Sequence, residues 1–220
     1  MRPMKPIDAV ILDMDGTLHD TEWVYHAALR RAVGAVGFAV SDGFVHSLIG
    51  IPGKETDRML QDHLGPGFPF EEYDRLYDEY CEALLAEGIK LKPGVVELLD
   101  HLEERALPAA IATSASRRAA TLHLARSGLA ARLPVVVTRD DVVQGKPHPD
   151  VYLKAASLLS AAPERCLAVE DSFNGIRAAH AAGMMAVMVP DVLTPTPEIR
   201  QLCVAVAADL HAVRDLIGGG

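Results

Sequence analysis

Five short runs of almost uninterrupted apolar residues constrain this chain more than any other feature. They are residues 7–13 (IDAVILD), 107–113 (LPAAIAT), 133–138 (LPVVVT), 166–170 (CLAVE) and 184–189 (MMAVMV). A strand with one wet face alternates apolar and polar residues. These runs do not alternate, so each is expected to be covered on both faces. Segments with helical spacing, roughly 94–105, 117–127, 150–161 and 174–182, lie between most of them. Alternating buried strands and helices predict an α/β fold, a doubly wound parallel sheet with helices on both sides. Ligands of such folds bind beyond the carboxyl ends of the strands.

Residues 21–91 break the rhythm. They hold no convincing strand, and Tyr73, Leu76, Tyr77, Tyr80 and Leu84 recur at three- and four-residue steps, marking one face of a helix. That stripe is read as core packing rather than as a cofactor box. Gly and Pro punctuate the segment at residues 51–53 and 65–67, and residues 92–94 (KPG) return the chain to its alternating pattern. The expected organisation is a discontinuous α/β domain, residues 1–20 and 92–217, carrying a helical insertion, residues 21–91. The glycines at 218–220 are read as a disordered tail.

The length of 220 residues suits one domain with an insertion. A net charge of −9 gives no footprint for nucleic acid or for an anionic membrane, which both attract basic patches. Phosphorylated small molecules stay open, because a metal and a few local cations can reverse the potential of one cleft. Cys81, Cys166 and Cys203 are far apart and form no CxxC pair, so buried reduced thiols are expected. The first apolar run is too short and too acidic for a signal peptide, and no stretch approaches the ~18 apolar residues of a membrane helix. The expectation is a cytoplasmic protein, a monomer by default.

Four polar strings sit at the ends of these runs. Asp13-Met14-Asp15-Gly16-Thr17-Leu18 closes the first strand. Two carboxylates there repel unless a cation offsets them, and Mg²⁺, which prefers oxygen ligands, is the obvious one. Gly16 would let the backbone approach a bound anion. Thr113 and Ser114 end the second strand before a helix that starts near Arg117, where hydroxyls and free N–H groups suit a phosphate, although Ser114 or Ser116 serves equally as a plain cap. Pro147 restricts Lys146 in the string GKPHPD, so that its ammonium can act as a fixed point charge. Glu170 and Asp171 end a further strand, and parallel strands end on one edge, so these acids could share a site with Asp13. Each string alone has a bland reading as a turn, a cap or a solvated charge. Their joint placement at strand carboxyl ends does not.

In this order the strings resemble the four motifs of the haloacid dehalogenase superfamily, over nearly the whole chain. DMDGTL, GKPHPD and VEDSFNGIRAA carry the resemblance, and the helical insertion between the first two motifs resembles that superfamily's first cap class. The resemblance implies a phosphatase of small phosphomonoesters, with Asp13 as nucleophile and Asp15 as general acid and then base. It implies that Ser114, with Thr113 as a lesser candidate, binds the phosphoryl group, and that Lys146 offsets charge. Asp13, the backbone carbonyl of Asp15, Asp171 and Glu170 (as ligand or support) would hold Mg²⁺. The cap would confer specificity, with Trp23, Tyr25, His26, His46, Lys54 and Arg58 as candidates.

The runner-up is a phosphomutase of the β-phosphoglucomutase type. Against it, that branch has a His twelve residues after the nucleophile, where this chain has Tyr25, and an Arg in the cap loop three residues after a Gly, a count that from Gly50 reaches Gly53, with Lys54 next to it as a substitute only in a shifted loop. A dehalogenase proper would leave Asp15 without a task, and a phosphonatase would need a cap lysine for a Schiff base, for which Lys54 is a weak candidate. A sensor that binds sugar phosphates without turnover belongs to another class, and the complete set of motif residues argues against it. A receiver domain lacks the cap and the second aspartate. A phosphorylated sugar, sugar alcohol or nucleoside monophosphate all fit a capped cleft.

Overall fold

The computed structural model describes residues 4–48, 51, 53–86 and 88–219, the side chains of 53 and 54 excepted. The chain divides into two compact units, residues 1–20 with 90–220, and residues 21–89.

The first unit is a six-stranded parallel sheet in the order β3-β2-β1-β4-β5-β6. Its strands are β1 (Ala9–Leu12), β2 (Ala109–Ala112), β3 (Val136–Val137), β4 (Cys166–Glu170), β5 (Met185–Met188) and β6 (Ala205–Val206). β1 is flanked on one side by β2, with Ile11 opposite Ala110, and on the other by β4, with Ile11 opposite Ala168. The strand order reverses direction at β1, so the carboxyl ends of β1 and β4 form the crevice where such sheets take ligands.

Uninterrupted hydrophobicity follows from the two cores this sheet separates. Val10 and Leu12 pack on one face against Leu98 and Leu102 of α5 (Val95–Glu104), Leu124 of α6 (Arg117–Arg126) and Val213 of α10 (Leu210–Gly218). Ala9 and Ile11 pack on the other against Tyr152 and Ala155 of α7 (Asp150–Leu158), Ile176 of α8 (Phe173–Ala181) and Ile199 of α9 (Pro197–Leu202). Each large aliphatic side chain so buried contributes about 1.5–3 kcal/mol.

Four features differ from the sequence-based reading. β3 is two residues long rather than six, an edge segment preceded by Pro134, which has no N–H to give a ladder. β6, α9 and α10 were not foreseen, since residues 203–207 form a short alanine-rich run. Gly218 is not tail but the last residue of α10, a helix capped by Asp209 (Ala212 N–H to Oδ1, 2.9 Å) and anchored by buried Val213 and Ile217. The chain re-enters the first unit at Lys90, ahead of the expected Lys92, because backbone bonds join the two crossings: Asp20 N–H to Lys90 C=O and Lys92 N–H to Leu18 C=O, both 2.9 Å.

The second unit holds α1 (Glu22–Ala35), α2 (Asp42–Ser47), α3 (Gly53–Leu64) and α4 (Phe70–Ala86). Tyr73 and Leu84 of α4 are buried, with Leu76, Tyr77 and Tyr80 packed beside them. The aromatic stripe is therefore core, with Tyr73 and Tyr77 stacked at 5.9 Å.

Candidate active site

Asp13 directly follows β1, and its N–H donates to Val169 C=O of β4 at 3.0 Å. The chain then folds into a tight loop, with Leu18 N–H and His19 N–H both donating to Met14 C=O. Gly16 has φ +85°, a left-handed conformation that favours glycine. A side chain at Gly16 would also run into the Asp171 carboxylate. The demand for glycine there comes from this acidic neighbour as well as from the turn. Thr17 Oγ1 donates to Asp171 Oδ1 at 3.0 Å, which ties the first motif to the fourth.

Lys146 joins three strand ends. Its ammonium donates to Asp13 Oδ1 at 2.5 Å, to Glu170 Oε1 at 2.6 Å and to the Ala112 carbonyl at 2.9 Å, and its side chain is only 4% exposed. All three of its donors are thereby used. The Lys146–Pro147 peptide is cis. Glu170 is held by more than Lys146. Tyr152 Oη donates to Oε1 at 3.1 Å, and Ser172 donates to Oε2 through its N–H at 2.9 Å and its hydroxyl at 2.8 Å. Ser172 is the cap of α8, accepting from Gly175 N–H, and a Cβ on Gly175 would occupy the place of the Glu170 carboxylate.

Thr113 is buried, and its hydroxyl accepts from Ala115 N–H at 3.0 Å. Ser114 is exposed beside it, in the bend between β2 and α6. Ser116, not Ser114, caps α6, accepting from Ala119 N–H.

The electrostatics leave room for a cation. Asp13 and Glu170 flank the Lys146 ammonium, and Asp171 belongs to the same acidic cluster. Burial pushes the Asp13 carboxyl up to about 7 against the opposing pull of Lys146, with Glu170 adding to the rise. Burial would lower Lys146, but Asp13 and Glu170 outweigh it and raise that group. Asp13, Glu170 and Asp171 each offer a carboxylate oxygen within 4.8 Å of the others, so the cluster could hold a metal. An all-oxygen donor set with excess negative charge fits a hard divalent cation.

Sequence reasoning missed several participants. Tyr152 reads as one more apolar residue of α7. His123 of α6 places Nδ1 3.2 Å from Asp15 Oδ1, and His19 is fully buried beside it. Burial lowers His19 to about 4, Asp15 opposing and His123 adding to the fall. A lone histidine in a helical pattern carries no signal of such a neighbour. Of the cap candidates, Trp23, His46 and Arg58 are exposed and Tyr25 and His26 half-buried in the second unit, while the Lys54 side chain lies outside the described residues.

The family model of haloacid dehalogenase-like hydrolases matches residues 10–189. The chain belongs to that family. It is 34% identical over 178 residues to the phosphorylated carbohydrates phosphatase of Thermotoga maritima, covering 81% of this chain and 82% of that protein. It is 34% identical to hexitol phosphatase A of Escherichia coli, covering 87% of each. A solved structure from Thermotoga maritima, provisionally named a β-phosphoglucomutase, superposes with a TM-score of 0.82 at 31% identity, over 96% of this chain and 98% of the other.

Proposed function

We propose that this haloacid dehalogenase-like hydrolase removes phosphate from a phosphorylated sugar or sugar alcohol, with Mg²⁺, through an acyl phosphate formed on the Asp13 carboxylate. The observation that carries the reading is Lys146, which gathers the ends of β1, β2 and β4 around the Asp13 carboxylate. The names of the phosphatase relatives support the substrate class.

An Asp13 carboxylate oxygen attacks phosphorus and the bond to the ester oxygen breaks. Asp15, two residues on, gives its proton to that leaving oxygen. A water then attacks the same phosphorus, Asp15 takes its proton, and the bond to Asp13 breaks to release inorganic phosphate. Splitting one hard displacement into two easier ones is the gain of a covalent nucleophile. Lys146 spreads the charge that builds on Asp13 and the phosphoryl oxygens, and Ser114 would donate to the same group. Glu170, with both oxygens engaged, positions Lys146. Bound Mg²⁺, held by Asp13, Asp171 and the Asp15 carbonyl, would supply charge neutralisation and help keep Asp13 ionised despite its burial. Tyr25 at the position of the mutase histidine favours hydrolysis over phosphate return. A cytoplasmic location is part of the same reading.

Phosphate release from a panel of phosphorylated sugars, sugar alcohols and nucleotides, with Mg²⁺ and with excess chelator, tests the reading. The expected result is strong preference for one carbohydrate phosphate and silence in chelator. Full activity in chelator would remove the metal, and isomerisation without release would replace hydrolase by mutase.

A further inference from the structure

The loop of residues 13–19 touches the acidic cluster through Thr17, which donates to Asp171, and touches His123 of α6 through Asp15. Asp15, His19 and His123 each offer a ligand atom within 4.8 Å of the others. We propose that these three residues form a second metal site, separate from the acidic cluster, that takes Zn²⁺ or a similar borderline-soft divalent ion and withdraws Asp15 from proton transfer.

The hydrogen bonds fix the state of His19. Ser127 Oγ gives its only proton to Leu124 C=O at 3.2 Å, so it accepts from His19 Nε2 at 3.0 Å. His19 therefore carries its proton on Nε2 and a lone pair on Nδ1. That Nδ1 is fully buried and has no hydrogen-bond partner among the described residues. A buried acceptor without a donor calls for an explanation. A metal ion supplies one, and the Nε2–H to Ser127 is the outer bond that commonly orients a ligating imidazole.

The spacing suits a small tetrahedral centre. Bonds of about 2.0 Å set neighbouring donors about 3.3 Å apart, and His123 Nδ1 lies 3.2 Å from Asp15 Oδ1. The ion would take the place of the hydrogen between them, His123 keeping its proton on Nε2. The rings of His19 and His123 lie edge to face, centroids 6.2 Å apart, and each offers a nitrogen within 4.8 Å of the other two ligand atoms, so closing on an ion asks for an inward shift. The Asp15 side chain is 21% exposed and provides the entry, while His123 is 5% exposed. Two imidazoles and one carboxylate select zinc-like ions, whereas the three carboxylates across the loop select magnesium. Metal binding stands on this geometry alone. Its effect on turnover rests on the phosphatase reading.

The test is equilibrium dialysis of metal-stripped full-length protein against micromolar Zn²⁺ in excess Mg²⁺, for wild type, His19→Leu, His123→Leu and Asp13→Asn. One Zn²⁺ per chain is expected for wild type and Asp13→Asn, with binding at least about tenfold weaker in each histidine variant. Absence of Zn²⁺ from wild type, unchanged retention in both histidine variants, or loss in Asp13→Asn would overturn the site. If the histidine variants fail to fold, the visible spectrum of the Co²⁺-loaded wild type decides: intense tetrahedral bands support it, weak six-coordinate bands overturn it. Zn²⁺ is expected to inhibit wild-type phosphate release and to inhibit His19→Leu less. Zn²⁺ bound at this site in a protein that hydrolyses no phosphomonoester would remove the phosphatase reading and leave the site standing.

Discussion

At the scale of single residues, one glycine and one imidazole set conditions for the site. Gly175 leaves the space that the Glu170 carboxylate fills. Gly175→Ala should displace Glu170, loosen Lys146 and cost about 1–3 kcal/mol, the range of overpacked cores. Gly67→Ala, with nothing near its Cβ and no left-handed backbone, should leave stability unchanged. Denaturant titration of both variants measures the difference. His19 makes a pH prediction. Its folded value of about 4 lies below the ordinary 6.5, so between those values the unfolded chain binds more protons. Stability is then complete above pH 6.5, falls as pH drops towards 4, and changes no further below that through this group. The loss should be on the order of 3 kcal/mol and should vanish in His19→Leu, as measured by denaturation with chelator present.

At the scale of elements, the sheet was legible because its runs are almost uninterruptedly apolar, and side chains from both faces of β1 enter a core. β3 and β6 were harder to read. A two-residue edge strand has too few side chains to show a period, and Pro134 and the alanines at 205 and 207 resemble loop composition. Asp13, Glu170 and Asp171 were legible because strand ends collect polar residues that a core cannot use, and Lys146 because it lies in the proline-rich string GKPHPD. Tyr152, His19 and His123 were not, since their partners are brought to them only by folding. Ser172 shows an element and a site sharing one residue, for it caps α8 and holds Glu170. Ser172→Ala should cost about 0.5–2 kcal/mol as a lost cap. It should also lower turnover, since the Glu170 that anchors Lys146 loses a donor. A thermal melt and a rate on one sample check both, and a melt shift with an unchanged rate would confine Ser172 to the helix.

At the scale of the whole molecule, the insertion leaves and returns through adjacent backbone. Asp20 and Lys90 are joined by a 2.9 Å hydrogen bond, and the unit of residues 21–89 has aromatic and aliphatic cores of its own. Replacing residues 21–89 by a short Gly-Ser link should therefore leave the α/β unit folded, with cooperative unfolding by circular dichroism. A chain without a transition would show that the unit depends on its insertion. Proposed discrimination among phosphorylated carbohydrates should be lost with it, while p-nitrophenyl phosphate continues to be hydrolysed.

The central claim is that Asp13 becomes phosphorylated during turnover. The most direct measurement uses Asp15→Asn with Mg²⁺ and p-nitrophenyl phosphate, whose leaving group needs no proton, followed by acid quench and peptide mass analysis. Without the base of the second step, phosphate is expected to accumulate on the peptide that contains Asp13, and Asp13→Asn is expected to be unlabelled and inactive. Label on another residue, or steady phosphate release by Asp13→Asn, would contradict the account.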